Sequence, residues 1–312
     1  MQALVNVAFP IFAIMAVGYW AGRKGLLNPA STSALNRYVF LFALPAAMFG
    51  FTARADISDI LNWPYIGAYM LGSLATIVLA LAVARFVFRL GREEVALHGG
   101  LATYGNTGYM GIPVFLTAFG AGGILPAVVT NLIGPMLLMA AMMLALEVMR
   151  RPEASLARKL RDIAVVFARN PVIVASLLGI AFALFSIPLP LPLGNFLDLL
   201  ASSAGPTALI ALGLSLVGET ILGDMREIVW QTVLKLLIHP LMVWLCVTYV
   251  FSLDPFWALS GVLLAAMPTG SSVFVVAQQY NVGVRRASAT VALSTAVSVV
   301  TLSVLFVVLG VE

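Results

Sequence analysis

The chain has 312 residues, of which 62% are hydrophobic and 10% charged, with a mean hydropathy of +1.05. Too few polar side chains remain to cover a soluble globule of this length, so the chain reads as an all-α polytopic membrane protein. The net charge of +4 resides in short loops between apolar stretches, which excludes a nucleic-acid partner, and the single cysteine, Cys246, excludes a disulfide framework or a cysteine-based metal site within one chain.

The opening stretch, Met1 to Trp20, lacks a charged start and is followed by Arg23 and Lys24, the wrong polarity for a signal peptide. It is expected to be the first transmembrane helix. A bilayer core is crossed by about 20 apolar helical residues. On that ruler ten spans are predicted, near residues 3–21, 34–52, 63–88, 94–118, 122–147, 171–187, 196–218, 228–251, 256–279 and 287–310. Odd-numbered connections carry Arg23, Lys24 and Arg37, then Arg85, Arg89 and Arg92, then the six basic residues between Arg150 and Arg169, then Arg226, then Arg285 and Arg286. Of the 17 basic residues 15 therefore share one side, which the enrichment of Lys and Arg in cytoplasmic loops makes the cytoplasmic one. Both termini are then expected on the non-cytoplasmic side, together with Asp56 and Asp59.

Span four is interrupted by Tyr104-Gly105-Asn106-Thr107-Gly108-Tyr109-Met110-Gly111-Ile112-Pro113, three glycines and a proline at a depth where a membrane helix should be continuous. Irregular backbone at that depth persists only when buried in protein or lining a cavity, so the break predicts a binding site. The connection from Met149 to Asn170 is the longest polar stretch. Leu156, Leu160, Ile163 and Phe167 recur at helical spacing beside Arg158, Lys159 and Arg161, predicting an amphipathic helix on the cytoplasmic membrane surface, an anchor between halves rather than a regulatory site. It divides the chain into a first repeat (1–148), a connector (149–170) and a second repeat (171–312). Pro10 and Pro171, and Pro45 and Pro206, are each 161 residues apart, and the same offset carries Thr107 onto Pro268 in Ala266-Met267-Pro268-Thr269-Gly270-Ser271-Ser272. Span nine is thus expected to be broken like span four. With an odd number of spans in each half, the two repeats are inverted, and paired breaks meet near the midplane.

Each break leaves an N-terminal helix end that favours an anion and a C-terminal end whose carbonyls favour a cation. Asn106, Thr107, Thr269, Ser271 and Ser272 offer neutral donors and acceptors, and Pro113 suits the first turn of the second half-helix. The competing reading is that these groups only satisfy the freed backbone. Lys235 and His239 share one face of span eight, nine residues and roughly 13 Å beyond Arg226, so Lys235 either contributes to the site or snorkels to the cytoplasmic surface. His98, opening span four, reads as interfacial or packed rather than as a proton relay. No carboxylate lies near the middle of a span, since Glu147, Asp198 and Glu219 are near ends, which argues against a cation antiporter built on an aspartate pair. No P-loop and no catalytic constellation is present, so neither an enzyme, a cofactor nor a metal is expected.

Gly105 to Pro113, together with Ala265-Ala266-Met267-Pro268-Thr269-Gly270, Phe274 to Asn281 and the span-seven segment from Gly205-Pro206 to Leu216, resembles the auxin efflux carrier family over essentially the whole chain. The resemblance implies a ten-helix fold of two inverted five-helix repeats with crossed broken helices 4 and 9, similar to bile-acid symporters and sodium/proton antiporters, and a bacterial inner-membrane location. It implies export or exchange of organic anions, auxin in plant members and dicarboxylates such as malate and malonate in bacterial ones. Asn106, Pro113 and Pro268 match the residues that shape the site in the plant carriers. Bacterial relatives often place an asparagine near Ser271 or Ser272, which is absent here, and the plant carriers' long loop is replaced by the short basic connector. The expected function is alternating-access transport of a small carboxylate, with Asn106, Thr107, Gly108, Gly111, Ile112, Pro113, Pro268, Thr269, Gly270, Ser271, Ser272 and Lys235 at the substrate. A sodium-coupled symporter, with Gln278 or Gln279 at the ion, and a non-transporting receptor are the alternatives. The expected partners are the organic anion and membrane lipids, with a homodimer left open.

Overall fold

The computed structural model describes residues 8–218 and 224–311, with the backbone alone at Pro135. Residues 3–7 of the first expected span, Glu219 and both chain ends lie outside the described residues. Thirteen main helices follow one another: α1 (Phe9–Arg23), α2 (Pro29–Arg54), α3 (Trp63–Phe86), α4 (Arg92–Thr103), α5 (Thr107–Phe119), α6 (Leu125–Arg150), α7 (Leu156–Ala168), α8 (Pro171–Leu184), α9 (Leu191–Ser215), α10 (Met225–Val250), α11 (Pro255–Ala265), α12 (Ser271–Gln279) and α13 (Val284–Val308). Among the described residues six are long and apolar enough to cross a membrane, seven if the pair α7 and α8 is one span. Leu74, Val78, Leu199 and Val300, each more than half exposed, belong to a broad apolar outer surface. The protein is a multi-pass membrane protein.

Short polar side chains start the helices. Asn28 caps α2 by accepting from the Ser31 N–H at 2.9 Å, Asn170 caps α8 by accepting from Val172 at 3.0 Å, and Asp224 and Asp254 do the same for α10 and α11, both at 2.9 Å. Pro29, Pro171 and Pro255 follow as first helical residues, where the missing N–H costs nothing. Ser155 caps α7, and Pro171 forces the chain to turn by 84° into α8.

The helices sort into two groups. α1 packs along α9, α2 packs on both α8 and α9, and these four form a panel. Gly18 of α1 lies against the Ile210 backbone and Gly213 of α9 against the Met15 carbonyl, so the two helices touch at main-chain distance. The remaining membrane helices form a body in which α3 packs on α4 and α10, α4 on α6, and α13 on α10 and α12. Panel and body meet where α9 packs against α5. The site lies along that seam.

Candidate functional site

α4 ends at Thr103, and the chain runs extended through Tyr104 to Asn106 before turning helical again. α11 ends at Ala265, and the chain is again non-helical until Ser271. The two interruptions lie antiparallel. Gly105 and Thr269 form an isolated β-bridge, the Asn106 N–H donates to the Pro268 carbonyl at 2.7 Å, and the Gly270 N–H donates to the Tyr104 carbonyl at 2.9 Å. Backbone groups freed by one break are thus satisfied by the other, which removes the main cost of breaking a helix away from water. The pairing depends on Gly270. A Cβ there would stand 2.8 Å from the Tyr104 ring and 3.0 Å from the Gly105 carbonyl.

α5 begins with a π turn, Thr107–Gly111, in which the Asn106 carbonyl accepts from both Met110 and Gly111 at 3.1 Å. Pro113 therefore sits in the second turn rather than opening the half-helix as expected, because the wide turn places the helix start six residues ahead of it. There it packs beside Gly205 of α9. The N–H groups of Thr107, Gly108 and Tyr109 take no acceptor among the described residues, and neither do those of Ser271 and Ser272 at the start of α12. Both helix starts open on one cavity of about 60 Å³, room for a few waters. Its body wall is made of Tyr104 to Tyr109, Asn131 and Gly270 to Ser272, and its panel wall of Phe40, Leu44, Asn170, Val172 and Ile173.

Polar groups around this cavity are unequally engaged. The Thr107 hydroxyl donates to Asn131 Oδ1 at 3.0 Å, and Asn131 Nδ2 faces the Met48 sulfur at 3.7 Å. Thr269 is fully buried, its hydroxyl donating to the Leu101 carbonyl at 3.0 Å and its N–H to Ser294 at 3.1 Å. The side-chain amide of Asn106, by contrast, has no protein partner among the described residues although the residue is only 6% exposed. A buried amide kept without a partner is ready to receive a ligand.

Of the expected site residues, Asn106, Thr107, Gly108, Gly270, Ser271 and Ser272 line the cavity, and Gly111, Ile112, Pro113, Pro268 and Thr269 stand behind it. Lys235 neither lines the cavity nor snorkels. It is fully buried, its ammonium donating to the Ala265 carbonyl at 2.5 Å and meeting His239 Nδ1 at 3.2 Å, while His239 Nε2 meets Ser73 at 2.9 Å. Its Nζ would lie 3.5 Å from a Cβ on Gly105, one strand's thickness behind the cavity wall. It thus neutralises the carbonyl end of α11 from the rear of the crossing.

The profile of the family described as "Membrane transport protein" matches residues 3–306. The chain belongs to this family. A Rhizobium meliloti member provisionally named a malonate transporter is 30% identical over 306 residues, covering 97% of this chain and 95% of its own. An uncharacterised transporter of Methanothermobacter thermautotrophicus is 30% identical over 305 residues, covering 96% of each chain. The uncharacterised transporter YfdV of Escherichia coli is 26% identical over 301 residues, with 94% and 93% covered. The resemblance to auxin efflux carriers pointed to the same family of transporters.

Sequence reasoning missed three groups of residues in this transporter. Asn131 was legible as a lone amide in the apolar span 122–147, between Pro126 and Gly134-Pro135. Phe40, Leu44 and Ile173 carry no signal, since apolar residues that wall a cavity look like any others. The third group is a partly buried polar cluster at the basic end, where Arg286 meets Glu94 at 2.7 Å and Glu227 at 3.1 Å, and Glu227 meets His98 at 3.3 Å. His98 and Glu227 are 1% and 3% exposed, so His98 is a packed residue, tying α4 to α10 and α13.

Proposed function

We propose that this chain is a secondary transporter that carries a small mono- or dicarboxylate by alternating access around the paired breaks. One observation carries the reading: two helix N-termini, at Thr107 and at Ser271, open with a free Asn106 amide on one cavity between panel and body. Unpaired N–H groups at a helix start attract an anion and need no buried counter-charge at the contact. Two such ends suit the two carboxylates of a short diacid, and the name of the Rhizobium relative points to malonate. In this assignment Asn106, Thr107, Gly108, Ser271 and Ser272 contact the anion. Gly111, Ile112, Pro113, Pro268, Thr269 and Gly270 hold the two helix starts in place, and Lys235 adds positive potential from behind Gly105.

The same reading gives the chain ten spans in two inverted repeats, residues 1–148 and 171–312, joined by the connector 149–170. To the six long helices it adds α1, α8, the broken pair α4 and α5, and the broken pair α11 and α12. Packing supports it, because the panel contains the first two spans of each half and the body the last three of each. A cavity walled by both groups changes its opening when one moves against the other. The distribution of basic residues supports putting both termini outside the cytoplasm. Lys235 speaks against the sodium-coupled alternative, since its ammonium already serves the Ala265 carbonyl that a cation would use.

The experiment is counterflow in proteoliposomes: vesicles loaded with unlabelled malonate should accumulate labelled malonate, at equal rates in sodium and choline buffers. Saturable binding without counterflow would make the protein a receptor, and dependence on sodium would restore the symporter.

A further inference from the structure

Two apolar grooves of nearly equal size lie on the body, away from the paired breaks. One, of about 450 Å³, runs between α3, α4 and α6; the other, of about 430 Å³, lies among α10, α11 and α13. They occupy corresponding spans of the two halves. The second is lined by apolar residues and Thr301 and contains no charge, as expected of any crevice filled by ordinary lipid tails. The first ends in two guanidinium groups, Arg85 at the close of α3 and Arg92 at the start of α4.

Both arginines are exposed, and neither has a carboxylate partner among the described residues. Arg85 makes only a long contact of 3.5 Å with the Leu90 carbonyl. The adjacent carboxylates are already committed, Glu93 to Arg150 at 2.8 Å and Glu94 to Arg286 at 2.7 Å. From Arg92 the groove follows one face of α4 through Gly99 to Thr103, eleven residues or about 16 Å at 1.5 Å per residue. That is close to the depth of one leaflet's hydrocarbon, about 15 Å. The arginines lie at the end of the chain's basic side, where anionic headgroups concentrate against cytoplasmic leaflets.

We propose that the groove between α3, α4 and α6 binds one anionic phospholipid, an acyl chain along Gly99 and its phosphate between Arg85 and Arg92. The occupant is a lipid rather than a free phosphate because the charge sits only at the mouth and everything deeper is apolar except Thr103, whose hydroxyl is turned back onto the Gly99 carbonyl. Bound there, the lipid would brace α4, the helix that leads into the first break.

The test is native mass spectrometry of the purified full-length chain titrated with phosphatidylglycerol or phosphatidylcholine of matched chains. The wild type should retain one phosphatidylglycerol in preference to phosphatidylcholine. Arg85→Gln/Arg92→Gln should lower that preference about thirtyfold, at about fivefold for each guanidinium near a lipid surface. Arg89→Gln, a neighbouring exposed arginine outside the groove, should leave it intact, and Ala141→Trp, which fills the groove, should displace both lipids. Equal losses from Arg89→Gln and from the double variant would reduce the effect to general surface charge and overturn the proposal. Retention of phosphatidylglycerol by Ala141→Trp would overturn the groove as its location. The four substitutions all alter exposed positions, and counterflow by each of the three variants reports that the protein is folded.

Discussion

The two breaks pair with each other, yet they spend their polar groups differently. At the second, Thr269 is bonded through both its hydroxyl and its N–H, Pro268 lends its carbonyl to Asn106, and Gly270 gives its N–H to Tyr104. At the first, the backbone is bonded in return, but the Asn106 amide is left over and Thr107 leans on Asn131. The second break is thus the more completely tied, and the first retains the group that can recognise a ligand. Pairing two irregular segments lets each satisfy the other's main chain, which leaves the Asn106 amide available for chemistry.

Four substitutions test that division, beginning with the largest effect. Asn106→Ala should weaken malonate binding by about 2 kcal/mol, roughly thirtyfold, the worth of a hydrogen bond to a charged group, with little change in melting temperature. Unchanged uptake of every carboxylate tried would end the assignment of this break to recognition. Gly270→Ala should act in the opposite sense, lowering thermal stability by an overpacking cost of about 1–3 kcal/mol as its Cβ meets Tyr104 and the Gly105 carbonyl. A fully stable variant would mean that the breaks are not locked together as described. Lys235→Met should reduce anion affinity about tenfold, about 1.4 kcal/mol, because a fixed charge near the cavity is lost while its volume is kept. Isothermal titration that finds the affinity intact would confine Lys235 to its bond with Ala265. Thr269→Val should cost about 1 kcal/mol of stability and leave affinity untouched, since its hydroxyl faces Leu101 and not the cavity. A large affinity loss there would erase the contrast between the breaks.

Much of the fold was legible because membrane physics acts locally. Apolar runs of the right length, caps such as Asn170-Pro171 and the glycines from Gly105 to Gly111 each announce a helix, a start or an interruption without reference to anything distant in the chain. The short elements were harder. Pro113 looked like a helix start, but the π turn at Thr107–Gly111 had already begun the helix, and a choice between α and π turns depends on what packs outside it. Lys235 and His239 were placed on one face by their spacing, and that holds at 3.2 Å. Whether the face looked at lipid, water or another helix was beyond spacing alone. His98 likewise read as interfacial or packed, while its partner Glu227, itself paired with Arg286, comes from a helix more than a hundred residues away.

The sequence by itself determined that this is a membrane protein of this transporter family and where its helices are interrupted, because composition and periodicity report on solvent and on local backbone cost. Only the tertiary structure decided that the interruptions pair through an antiparallel bridge, that the Asn106 side chain stays free while that of Thr269 does not, and that Lys235 stands behind the cavity. Each of those depends on which group arrives opposite which, and a hydrogen bond is settled by the partner within 3 Å rather than by the residue that offers it.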